Sequence, residues 1–205
     1  MNIEKLQLAA ANFLQFYPGG FQHADMQRLA RKHPVERLAA QTRVLLAKDA
    51  FVNQGQVLEN IVKLVSRSSM VSMFEKPKFR DFVHSLGRDD RARLAQAVQA
   101  LLHGDQVQGF EALTQLLLAG KLAKWSLVSS LLLYSNPRVE VFVKPTTAKA
   151  IIAYLELTDL SYQPRPSWAF YAGYRHAINT MKVHVDPSLS PSNAAFTGFL
   201  MMSIL

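Results

Sequence analysis

Apolar residues recur at three- and four-residue steps along nearly the whole chain, and clean alternation with period two is confined to one short run, Val139 to Val143. An apolar stripe at that spacing lines one face of an α-helix, because 3.6 residues complete a turn, whereas a half-buried strand needs alternation. The pattern predicts an all-α fold, a compact multi-helix globular protein. Helices are expected over residues 2–16, 24–32, 35–48, 55–67, 76–86, 89–103, 108–119, 125–135, 146–156, 167–183 and 192–203. Tyr17-Pro18-Gly19-Gly20 stops the first helix, since proline cannot continue it and glycine accepts the positive φ used at helix ends. Ser167 reads as an N-cap behind Pro166, and Ser192 or Asn193 as a cap behind Pro191. Without an internal repeat or a low-complexity linker, the expectation is one unit over residues 1–205. A division into helical lobes, 1–104 and 105–205, is the alternative.

A chain of 205 residues, 49% hydrophobic, can bury one substantial core. Its net charge of +8 favours an acidic partner such as nucleic acid, or else serves only to keep the protein dispersed. The excess is uneven: residues 1–100 hold 15 basic and 9 acidic side chains, and residues 101–205 hold 8 and 6. Cysteine is absent, which removes disulfides, thiolate metal ligands and thiol nucleophiles and fits a reducing compartment, so a cytoplasmic protein is expected. Glu4 and a helical apolar period mark the N-terminal stretch as a folded helix, not a signal peptide. A membrane span needs about 20 consecutive apolar residues. Ser126 to Tyr134 and Ala194 to Leu205 are both far shorter, so no membrane partner is expected.

Gly120-Lys121-Leu122-Ala123-Lys124-Trp125-Ser126 leads into the apolar helix Leu127 to Tyr134. After it come Val143-Lys144-Pro145-Thr146-Thr147-Ala148-Lys149 and the apolar positions Ile151, Ile152, Leu155 and Leu157. In order and spacing, residues 120–157 resemble the heart of the helix-hairpin-helix DNA glycosylases, with Lys124, Trp125 and Ser126 on the G-x-G-[RK]-W-T-A pattern of that family. The resemblance implies that the first turn after the hairpin presents backbone N–H groups to a DNA phosphate, with Lys121, Lys124 and Ser126 as contacts. Ala123 stands where the second hairpin glycine belongs, and Ser126 replaces threonine. The larger departure is Lys144, which falls where the family carries its catalytic aspartate. An ammonium cannot stabilise an oxocarbenium ion or activate water, so the resemblance implies binding without base excision. Pro145 suits the first position of the following helix, leaving Lys144 and Lys149 near its start, either as phosphate contacts or as solvated lysines.

Tyr162 to Arg175 holds five aromatic residues and two arginines. Trp168, Tyr171 and Arg175 fall three and four apart, on one helix face. Such a face can stack bases and hold phosphates, and equally aromatic stripes at helical spacing form cores. The succession of Lys144-Pro145-Thr146-Thr147 and then Tyr162-x-Pro164-x-Pro166-x-Trp168 also resembles a group of bacterial helical proteins, a likeness that brings no function with it. Arg28, Arg31 and Lys32 share a helix face and Arg37 and Arg43 follow, with Asp25 and Glu36 close enough to offset them.

The six histidines lack zinc-ligand spacing, and no phosphate-loop, dinucleotide or serine-hydrolase pattern occurs, so neither metal nor cofactor is expected. A pocket built from residues far apart in sequence, such as His84, Glu111 and Tyr174, would be the route to an enzyme. The last helix, Ala194 to Leu205, is apolar almost all round. It closes its own core or joins two copies in a homodimer. The leading expectation is a non-catalytic nucleic-acid-binding protein whose contacts are Lys121, Lys124, Ser126, Lys144, Lys149, Trp168, Tyr171 and Arg175. Its rival is an interaction protein that homodimerises through the C-terminal helix.

Overall fold

In the computed structural model, which describes residues 1–204, the periodic segments form eleven α-helices. They are α1 (Ile3–Phe16), α2 (Ala24–Lys32), α3 (Val35–Leu45), α4 (Gln54–Arg67), α5 (Glu75–Ser85), α6 (Arg88–His103), α7 (Gln106–Ala119), α8 (Trp125–Ser135), α9 (Pro145–Tyr154), α10 (Trp168–Lys182) and α11 (Asn193–Ile204). Short 3₁₀ turns at Gly20–Gln22, Lys48–Val52 and Pro187–Leu189 join some of them. Asn2, Asn53, Asp105 and Ser167 cap their helices by accepting first-turn N–H groups.

Two helices stop short of the periodic pattern. The apolar spacing suggests that α3 runs to residue 48, but it ends at Leu45, and the 3₁₀ turn that follows buries Phe51. The last turn of α9 ends because Glu156 takes a left-handed φ of 54°. Its carboxylate is held there by Lys5 at 2.7 Å and by the Asn2 side chain, while Asn2 N–H donates to the Leu155 carbonyl.

Helix α8 is the axis of the core. From Leu127 to Tyr134 every residue is buried, as expected for a helix apolar on all sides. Helices α3, α4, α6 and α7 surround it, and the buried Tyr134 hydroxyl meets Ser68 Oγ at 2.7 Å. On the other side α11 packs against α1, α9 and α10, burying Phe196, Phe199 and Leu200. The C-terminal helix therefore closes the core of its own chain. Residues 1–104 and 105–205 contribute to one contiguous hydrophobic cluster, and the chain reverses tightly between α6 and α7. Gly109 makes that reversal close: a Cβ there would collide with the backbone of Ala100 and Leu101.

The alternating run at Val139 to Val143 begins in a turn, where Val139 and Glu140 N–H donate to the Asn136 carbonyl, and continues without helix; no strand forms among the described residues. Side chains bond its backbone instead. Ser129 Oγ accepts from Val143 N–H at 3.0 Å, the Tyr171 hydroxyl accepts from Val141 N–H at 3.2 Å, and Asn179 and Asn193 donate to the Val139 carbonyl. This segment threads between α8 and α10 and delivers Lys144 to the start of α9.

Candidate binding groove

A large concavity lies between the α2–α3 corner and α11, with a volume of about 1050 Å³. One wall is Leu29, Ala30, Pro34 and Val35. The facing wall is the side of α11 turned away from the core, with Ala194, Ala195, Gly198 and Met201. Phe142, from the extended link, and Met70 lie at its base. The space exists because α11 carries small residues here: a Cβ built on Gly198 meets nothing within 4 Å. Volumes of about 300–1000 Å³ are typical of small-molecule sites, as is a mainly apolar lining with a few polar groups.

Those polar groups are unevenly placed. Lys144 is the N-cap of α9; it lines the groove, is exposed, and has its ammonium 3.8 Å from Met201 Sδ. No side chain caps the first turn of α9, and Pro145 has no N–H to offer. Thr147, in the same turn, lines the groove and is 5% exposed, and its buried hydroxyl has no hydrogen-bond partner. Arg31 and Arg37 stand on the opposite side with Glu36 and His33, whose Nδ1 lies 3.0 Å from Ser69 Oγ. Asp186 borders the groove and accepts the Ser188 N–H at 2.8 Å. Three cations thus face two carboxylates.

The remaining residues singled out by sequence fall in three other places. Lys121 and Lys124 are exposed in the turn between α7 and α8, where Lys121, not Gly120, takes the left-handed conformation with φ 56°. The Ser126 hydroxyl, in the first turn of α8, donates to Glu75 Oε2 at 2.5 Å. A carboxylate of the protein's own thus sits beside the helix start that the glycosylase resemblance assigns to phosphate. Lys149 lies over the Tyr162 ring, 5.1 Å from its centroid, and Tyr162 in turn contacts Trp125.

Trp168, Tyr171 and Arg175 do come together, around a residue the sequence reading passed over. Arg175 Nη1 donates to both Glu140 oxygens, at 2.9 and 3.0 Å, and to Gln106 Oε1 at 2.8 Å. Gln106 Nε2 and the Tyr171 hydroxyl donate to the same carboxylate at 3.0 and 2.7 Å. The guanidinium carbon lies 5.3 Å from the Trp168 ring centroid and 5.7 Å from that of Tyr171. Tyr171 has no exposed surface, and burial, with the adjacent Glu140 charge, pushes its hydroxyl well above the ordinary tyrosine range. As folded, it has no free ring face on which a base could stack. The aromatic stripe of α10 is core: Phe110, Trp125, Phe170 and Tyr174 complete the cluster.

No three His, Asp or Glu side chains among the described residues gather as a metal site, and no helix is long and apolar enough to cross a membrane. In comparisons with known proteins the chain matches no family model, no curated protein and no solved structure.

Proposed function

We propose that this chain is a binding protein whose ligand lies in the groove between the α2–α3 corner and α11. One observation carries the reading. About 1050 Å³ stays open along the side of α11 turned away from the core, where Gly198, Ala194 and Ala195 present little or no side chain. Water fills an open groove of this kind, and a ligand that covers its apolar walls recovers roughly 25 cal/mol for each Å² of apolar surface removed from water.

The test is to fill the space from within. Gly198→Leu adds a side chain where a Cβ meets nothing, so the variant is expected to fold with an unchanged circular dichroism spectrum. The wild-type protein should enhance the fluorescence of the neutral dye N-phenyl-1-naphthylamine saturably, at one dye per chain, and the variant should lose that signal. Equal dye binding by both proteins would move the site elsewhere. A wild-type mass of two chains in sedimentation, reduced to one by Gly198→Leu, would assign the same α11 face to a homodimer.

A second reading is nucleic-acid binding through a degenerate helix-hairpin-helix arrangement. It is supported by exposed Lys121 and Lys124, which make no ion pair among the described residues, and by the +8 net charge. Glu75, beside Ser126, weighs against a phosphate at the α8 start. Fluorescence anisotropy with short single- and double-stranded DNA across a salt series decides it. Affinity should fall steeply with salt, and Lys121→Glu with Lys124→Glu should weaken it by about tenfold or more. Unchanged affinity in the folded double variant would remove the clamp.

A further inference from the structure

We infer that the groove takes a single-chain anionic amphiphile, a long-chain carboxylate, with its charged head at the start of α9 and its tail along α11. The inference rests on the groove being the binding site and goes on to specify what fills it. Three independent features meet at one end of the groove. The α9 helix is ten residues long, and the positive end of its dipole is left uncapped by any side chain. Lys144 brings an ammonium to the same end, with a methionine sulfur and no carboxylate as its contact. Thr147 holds a hydroxyl that is buried without a partner. An orphan of that kind is rare in folded proteins, because burial strips away water and returns nothing, and a carboxylate oxygen is an acceptor that would satisfy it once a small shift of the lining opens the hydroxyl to the groove.

Beyond that end the lining is mainly apolar, with Phe142 at the base and Ala194, Gly198 and Met201 along one side. Methionine suits such a channel, since its unbranched, polarizable side chain adapts to a flexible alkyl chain. The groups facing the head set its sign. Arg31 and Arg37 reach the groove from the opposite wall, against Glu36 and Asp186, so with Lys144 the charge balance favours an anion. A cationic or neutral head would leave Lys144 and the helix dipole without a complement. A polyanion such as nucleic acid would place further phosphates against apolar walls that cannot solvate them.

The experiment titrates the full-length protein with palmitate and with hexadecanol, which has the same tail and no charge, following displacement of the neutral dye. Palmitate should bind at one per chain and at least tenfold more tightly than the alcohol. Lys144→Ala should weaken palmitate by about tenfold, the effect of losing one charge-assisted contact, and leave hexadecanol within about twofold. Thr147→Val, nearly isosteric and relieved of an unpaired hydroxyl, should fold normally and also weaken palmitate selectively. Gly198→Leu should abolish both ligands. If hexadecanol competes as well as palmitate and Lys144→Ala changes neither, the headgroup assignment fails while the groove stands. If neither ligand displaces the dye, or Gly198→Leu leaves both bound, the groove reading fails with it.

Discussion

Glu140→Ala is expected to lower the unfolding free energy by about 3 kcal/mol, the low end of the range for removing one partner of a buried ion pair. Glu140 is the single acceptor around which Arg175, Gln106 and Tyr171 converge, and only 9% of its side chain is exposed. Its removal leaves the guanidinium hydrogen-bonded to Gln106 alone and leaves the buried phenol of Tyr171 only the longer bond to the Val141 carbonyl, at 3.3 Å. The low end applies because Arg175 retains 23% side-chain exposure, so solvent stabilises part of the released charge. Glu140→Gln should lose less, because the amide keeps one oxygen for Arg175. Tyr171→Phe, which removes the bond to Glu140 and leaves the buried Val141 N–H without its acceptor, should cost about 2 kcal/mol. Urea unfolding at neutral pH measures all three. A Glu140→Ala loss below about 1 kcal/mol would mean that the pair behaves as an exposed one.

The position of Glu140 explains why sequence reading missed it. It is the only acidic residue between Glu111 and Glu156, and it interrupts an otherwise apolar run, Val139 to Val143. A carboxylate there had to find a cation, and the nearest in space comes from α10, 35 residues away. Periodicity sees the face of each helix and not which faces meet. That is why the eleven helices, the caps at Ser167 and Ser192 and the stop at Pro18 were legible, since each is decided within a few residues by helical spacing, φ restriction or a side-chain acceptor. Helix ends at Leu45 and Tyr154 were not, because Phe51 burial and the Lys5–Glu156 contact are tertiary.

The groove was hidden for a related reason. Ala194, Ala195 and Gly198 read as ordinary members of an apolar helix, and the absence of a neighbour opposite them is a property of the α2–α3 corner. Lys144 was visible as an oddity of its motif, and its surroundings were not. The α10 aromatic stripe offered base stacking or core with equal local logic, and burial of Tyr171 and Tyr174 chooses core.

Alkaline pH should unfold this protein unusually steeply, because burial holds three phenols above their ordinary range. Tyr171 and Tyr174 have 0% and 1% exposure, and Tyr134 has 1%. Desolvation raises all three, reinforced at Tyr171 by the Glu140 charge and opposed at Tyr134 by the Ser68 hydrogen bond. In the unfolded chain the same groups ionise near pH 10, about the ordinary tyrosine value. Below that pH both states hold the protons and stability is full. Above it the unfolded state releases them while the folded state does not, so the folded state binds more protons and its stability falls as pH rises. Each phenol contributes a limiting slope of about 1.4 kcal/mol per pH unit, and three together about 4 kcal/mol. Lys182, which burial holds below its ordinary value, works in the opposite sense and trims the slope. Urea midpoints taken from about pH 9 to about pH 11.5 should fall along this steepening curve, with the phenolate absorbance of the three buried tyrosines appearing only as the chain unfolds. Tyr174→Phe should reduce the slope by about one third, since the folded state then shelters one phenol fewer. A midpoint that is flat across that range, or phenolate absorbance that saturates in the folded protein, would show that these hydroxyls reach water without unfolding.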